Sequence, residues 1–159
     1  MKILIKNWWP VALWLGIIRL ESTDYGSARD TFGLLSRLVA RIVGSADPRL
    51  LAELNEVLRK NGHFFGYAIL SALVFLALKH SHRDCLNAAP RRTWLASASG
   101  NRQLDWAVIA VVFALVVASM DEIHQTFLHS RSGRWQDVAI DASGALLMQL
   151  LLYRPQRVV

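Results

Sequence analysis

The chain has 159 residues, enough for a single domain over 1–159. Hydrophobic residues make up 53% and the mean hydropathy is positive, above the apolar share of an ordinary soluble domain. The lone Cys85 excludes an intramolecular disulfide and a thiolate metal site. The apolar residues gather in four runs separated by charged stretches, which points to a small helical membrane protein.

The first run follows Lys2 and Lys6 and extends to Ile18. A signal peptide fits it poorly, because Trp8, Trp9 and Trp14 interrupt the apolar core and Arg19 and Glu21 stand where a cleavage zone wants small neutral residues. An uncleaved first span over about 3–20, anchored at the interface by Trp8 and Trp9, fits better.

Residues 20–62 are too polar to span. Phe32, Leu35, Leu38, Val39, Ile42 and Val43 recur at helical spacing and predict an amphipathic helix. Asp47-Pro48 predicts the start of a second one, with an acidic cap and a proline in the first turn. Its stripe is Leu50, Leu51, Leu54, Val57 and Leu58, and Asn61-Gly62 is expected to end it. Two such helices either lie on a membrane surface or fold over a bundle.

A second span is expected over about 62–79, followed by a loop from Lys79 to Gln103 that carries five basic residues, Pro90 and Gly100. Further spans are expected over about 104–120 and 137–153. The expected fold is therefore all-α: a four-helix transmembrane bundle with amphipathic helices in its first extracytoplasmic loop. The formal charge of +6 is explained by topology, so nucleic acid is not an expected partner. Lys2, Lys6, Lys79, Arg83, Arg91, Arg92, Arg102, Arg154 and Arg157 fall on one side, whereas the basic residues of 21–60 are balanced by acids. The positive-inside rule then puts both termini in the cytoplasm.

The polar block from Met120 to Gly144 lies between the last two spans and would face outward. Ala118, Glu122, Gln125 and His129 share one helical face by their spacing, and Asp137, Asp141, Gly144 and Met148 share another. Lys60, His63 and Tyr67 line up at the entrance to the second span, at a similar membrane depth. Asp121, His124 and His129 fall off the Glu122 face on one count or another and are expected to be solvated. Gly66 and Gly144 are expected to let helices approach closely.

Ionisable groups at such positions are costly and usually functional. Arg131 or Arg134 offers a guanidinium fork for phosphate or carboxylate, and Lys60 a point charge. Glu122 or His63 is the candidate general base, with Gln125 orienting a water or carbonyl. The alternative is that these groups satisfy one another, with Glu122 near Arg131 or Arg134 and Asp137 capping the last helix. Asp141, one turn deeper, needs either an arginine partner or a proton. The Asp121-Glu122-x-His124 spacing does not put two ligands on one helical face, so no metal is expected, and no cofactor motif is present.

Two blocks carry a family resemblance. RKNGHFFGYAIL (Arg59–Leu70) and DEIHQTFLHSRSGRWQDVAIDASGALL (Asp121–Leu147) resemble the VanZ-like family of small membrane proteins. The matching residues are Lys60, His63, Tyr67, Glu122, Gln125, Arg131, Asp137 and Gly144. Asp141 stands where that family commonly has asparagine, and Arg134 where a small polar residue is usual, which makes Arg134 a candidate partner for Asp141. The resemblance implies a four-helix membrane protein, linked in its name-giving member to low-level teicoplanin resistance. Membrane lipids, a polyprenyl-linked lipid or a peptidoglycan precursor are the expected partners. An intramembrane hydrolase or transferase and a non-catalytic assembly factor remain the alternatives.

Overall fold

A computed structural model describes residues 2–23, 28–44, 47–88, 102–127 and 134–153. Among the described residues there are five helices and no strand: α1 (Lys2–Glu21), α2 (Ala28–Val43), α3 (Pro48–Ala88), α4 (Arg102–Gln125) and α5 (Trp135–Leu152). Their starts and stops follow from local chemistry. The Asp47 carboxylate accepts the Arg49 backbone N–H at 2.9 Å, with Pro48 in the first turn of α3. Gly44, at φ +84°, takes the left-handed conformation that follows the end of α2.

Two boundaries differ from those the sequence predicts. The amphipathic helix does not end at Asn61-Gly62, because α3 runs unbroken for 41 residues. Asn61 donates its side-chain N–H to the Val57 carbonyl, and the helical cost of Gly62, roughly 1 kcal/mol, is carried by the long flanking turns. Nor does a loop begin at Lys79. Helix α3 continues to Ala88, held partly by Asn7, which donates to Asp84 (3.0 Å) and Ser81 (3.4 Å). Pro90, Arg91, Arg92 and Gly100 lie outside the described residues.

Helix α3 packs against each of the others, and α4 packs on α5. The side-chain contacts set directions. Trp14 of α1 donates to the Gly66 carbonyl at 2.8 Å, while Asn7 reaches Ser81 and Asp84, so α1 and α3 are antiparallel. Gln103 at the start of α4 donates to the Leu152 carbonyl at the end of α5, so these two are antiparallel as well. Helices α3 and α5 run parallel: His63 faces Asp141, Phe64 faces Gly144, and Gln149 donates to the Ser71 hydroxyl at 2.8 Å.

Gly144 sets the distance between that parallel pair. A Cβ there would overlap the Phe64 carbonyl oxygen and lie 3.0 Å from its carbonyl carbon. Gly66, by contrast, has open space where its Cβ would be, so the expected close approach at Gly66 is absent. What Gly66 contributes is its carbonyl, as acceptor for Trp14.

The distribution of side-chain size is inverted relative to a water-soluble bundle. The buried face of α4 is Ala107, Ala110, Ala114 and Ala118, whereas Val108, Ile109, Val112, Val116, Met120 and Ile123 are exposed. Helix α5 buries Gly144 and Ala145 and exposes Leu146, Leu147, Leu150 and Leu151. Small residues inside and bulky apolar residues outside suit helices that meet in lipid, where backbone proximity drives association. Helices α3 and α4 are long and apolar enough to cross a membrane. The stripe Leu50, Leu54, Val57 and Leu58 is exposed too, while Phe32, Leu35 and Val39 of α2 are half-buried and Leu38 and Ile42 are not covered.

Gly144→Ala is expected to destabilise the purified protein by about 1–3 kcal/mol, because the methyl must push backbone away. Thermal unfolding in detergent, followed by circular dichroism, measures it. An unchanged midpoint would contradict the α3–α5 approach.

Candidate functional site

The polar residues gather at the end of the bundle where α1 and α4 finish and α5 begins. Helix α4 extends past its apolar run and carries Asp121, Glu122 and Gln125 inward on the stripe that the alanines occupy lower down. Helix α5 brings Asp137 in its first turn, where negative charge is favoured, and Asp141 one turn deeper. Helix α3 supplies Arg59, Lys60, His63 and Tyr67.

Together Arg59, Lys60, His63, Glu122, Gln125, Asp137, Ile140 and Asp141 line a slot of about 20 Å³, room for one water-sized group. The predicted Lys60, His63, Glu122, Gln125, Asp137 and Asp141 are thus brought together. Tyr67 lies one turn below, buried, its ring 6.4 Å from that of His63, and its hydroxyl has no hydrogen-bond partner among the described residues. Arg131 and His129 lie outside the described residues.

The expected pairings change in four places. Glu122 meets Arg134 through the backbone: the Arg134 N–H donates to Glu122 Oε2 at 2.8 Å, while the residue itself is exposed. Arg134 therefore presents no buried fork to a ligand and is not the partner of Asp141. That partner is His63, whose Nδ1 stands 3.6 Å from Asp141 Oδ2. Arg134 is also the residue at the cap position of α5, with no side-chain cap bond, so Asp137 does not cap the helix. Asp121 is buried rather than solvated. Its Oδ2 accepts from the Ser22 hydroxyl at 2.6 Å and from the Gln125 amide at 3.0 Å, joining the end of α1 to α4.

Lys60 is less available as a point charge than its sequence position suggests, since its Nζ lies 2.7 Å from Glu56. That ammonium holds the exposed Glu56 carboxyl below the usual carboxylate range. The pair is half-exposed and adjustable. Asp141 is the opposite case. It is 1% exposed, and neither carboxylate oxygen has a hydrogen-bond partner among the described residues.

Arg59 and Ser22 were not predicted as site residues. Arg59 is adjacent to Lys60 on the same turn and could have been found there. Asp121 follows Ala114 and Ala118 and precedes Gln125 at spacings of four, three and four, the signal that it shares their face. Nothing local marks Ser22. On the other side of Asp121 an open groove of about 590 Å³ runs between α1 and α4, with His124 and Arg19 along it. Among the described residues no three His, Cys, Asp or Glu side chains are grouped to hold a metal ion.

A family model described as VanZ/LLP1 matches residues 9–155. The chain belongs to the VanZ/LLP1 family. This membership and the apolar helices together indicate a membrane protein. Comparison with curated proteins and with solved structures finds no match. The match spans α1 through α5, so every element that builds this VanZ/LLP1 protein's slot is inside it.

The Ser22–Asp121–Gln125 network predicts an ordered mutant series. Asp121→Asn keeps one oxygen able to accept both hydrogen bonds, so it should change stability by under about 1 kcal/mol. Asp121→Ala strands the buried Ser22 and Gln125 without their shared acceptor and should cost roughly 2–4 kcal/mol. Thermal midpoints of the three proteins in one detergent provide the comparison, and equal losses would refute the network.

Proposed function

We propose that this VanZ/LLP1 protein is a four-span envelope protein of the bacterial inner membrane whose polar slot recognises a lipid head group or cell-wall precursor. In this reading α1, the apolar part of α3, α4 and α5 are the spans, both termini are cytoplasmic, and α2 with the start of α3 lies against the outer leaflet. One observation carries it: a buried slot with charged groups from three helices sits at one end of a bundle whose outer surface is bulky and apolar. Buried charge is expensive in such a setting and is kept where it serves a polar ligand. Arg59 and Lys60 stand at the rim for an anionic group, with Glu122, Gln125 and Asp137 positioning it. Arg131 and Arg134, with Tyr67 and Asp141, complete the proposed set. Teicoplanin susceptibility is the phenotype through which such recognition would be seen.

A second reading has its own support. The slot has room for one water beside Glu122 and the His63–Asp141 pair, the arrangement of a base with an orienting carboxylate. A hydrolase or transferase using Glu122 or His63 as base would work from that geometry.

Two experiments test these readings. Cys85 is the sole cysteine and is exposed. In intact cells a membrane-impermeant maleimide should leave Cys85 unlabelled and should label Phe127→Cys in a Cys85→Ser background. Labelling of Cys85 in intact cells would reverse the topology. Separately, a sensitive Gram-positive host expressing the protein should survive raised teicoplanin with little change toward vancomycin. Glu122→Gln, at equal membrane level, should abolish the effect if Glu122 is a base and weaken it only partly if the slot binds without chemistry. No shift for the wild type would remove the antibiotic phenotype.

A further inference from the structure

The chemical layout of the slot narrows what enters it. Carboxylates line its walls: Glu122, Asp137 and the buried Asp141. Cations stand at the same slot on the turn before His63: Arg59, and Lys60, which shares its charge with Glu56. Asp141 is the decisive residue. It is almost fully buried, borders the slot and has two oxygens without a hydrogen-bond donor among the described residues. The imidazole Nδ1 of its neighbour His63 stands at 3.6 Å, beyond hydrogen-bond range. A buried carboxylate in that state is stabilised by a proton or by a donor carrying positive charge, and the slot it borders gives such a donor access.

A bare anion would meet three carboxylates, and a bare cation would meet Arg59 and Lys60. A ligand with both charges, the positive end foremost, is matched throughout. The volume of about 20 Å³ suits –NH3+ on a slender stem better than the bulkier trimethylammonium. A primary ammonium also brings three N–H donors, where a quaternary one brings none.

We infer that the slot takes the primary ammonium of a phosphoethanolamine lipid head group, with Asp141 and Glu122 receiving the amine and Arg59 and Lys60 facing the phosphate. This rests on the head-group reading above and names its ligand. The head group would come from the outer leaflet, with its acyl chains against the exposed apolar surface of the bundle.

The test uses the full-length protein in detergent, titrated with dioleoyl-phosphatidylethanolamine, the corresponding phosphatidylcholine and the phosphatidylglycerol, with bound lipid read by native mass spectrometry. Phosphatidylethanolamine is expected to bind about tenfold more tightly than the other two, the value of one charge-assisted hydrogen bond. Asp141→Asn, which keeps shape and removes charge, should erase that preference without lowering the thermal midpoint. Asp137→Asn, at the better-exposed end of the slot, serves if Asp141→Asn does not fold, and should reduce the preference.

Soluble phosphoethanolamine should compete only weakly. Strong competition without binding of the lipid would overturn the lipid assignment. Equal binding of all three lipids that both variants weaken would overturn the amine and leave head-group recognition standing. Lipid binding that neither variant alters would overturn both.

Discussion

The close contact of Gly144 with the Phe64 backbone is the constraint on which the rest of the structure turns. In an alternating bundle, parallel helices usually face each other across a diagonal. Here the absence of a side chain at Gly144 lets α5 lie directly on α3, with their directions matched. Because the two run in register, residues equally far along the two helices meet in pairs: His63 with Asp141, and Ser71 with Gln149. The second pair is a wholly buried hydrogen bond, and it pins the register about two helical turns along from the first. A methyl at 144 would separate both.

The slot exists because that contact is close. The fully buried apolar face of α4 toward the α3–α5 pair is made of alanines, so its own polar end is carried in with them and Glu122 and Gln125 arrive opposite Asp141. Helix α1 reaches the same end by a different device, the Ser22 hydroxyl on Asp121. The carboxylates of the site are therefore not equivalent. Asp121 is satisfied by two donors, Glu122 by a backbone N–H, and Asp141 by neither. An amine-bearing ligand is argued from that inequality rather than from the number of acids.

The far end is tied by a separate set of contacts. Asn7 bridges α1 to α3, Trp106 packs its ring against Phe75 and His82, and Arg102 contacts His82. These polar and aromatic groups sit in the basic region expected to face the cytoplasm. The two ends thus differ in kind. One is closed by ordinary side-chain pairing, and the other holds a carboxylate without a donor among the described residues.

Periodicity and composition alone settled that the chain is helical and roughly where most of its helices lie, although α3 runs to Ala88 past the expected loop start at Lys79, and Asp121 turns inward where solvent was expected. Spacing of three and four is a local property, so the shared faces of Glu122 with Gln125 and of Asp137 with Asp141 were legible. The family was legible too, because its residues are grouped in two short blocks. Helix continuity was not: Asn61-Gly62 reads as a stop, and only its flanking turns decide that α3 passes through it. Pairing across helices was the other loss. Asp141 took His63 instead of Arg134, and Asp121 took Ser22, since partners at those separations depend on how close α5 lies to α3 and where α1 ends. Those are distances between helices, and only the tertiary structure decides them.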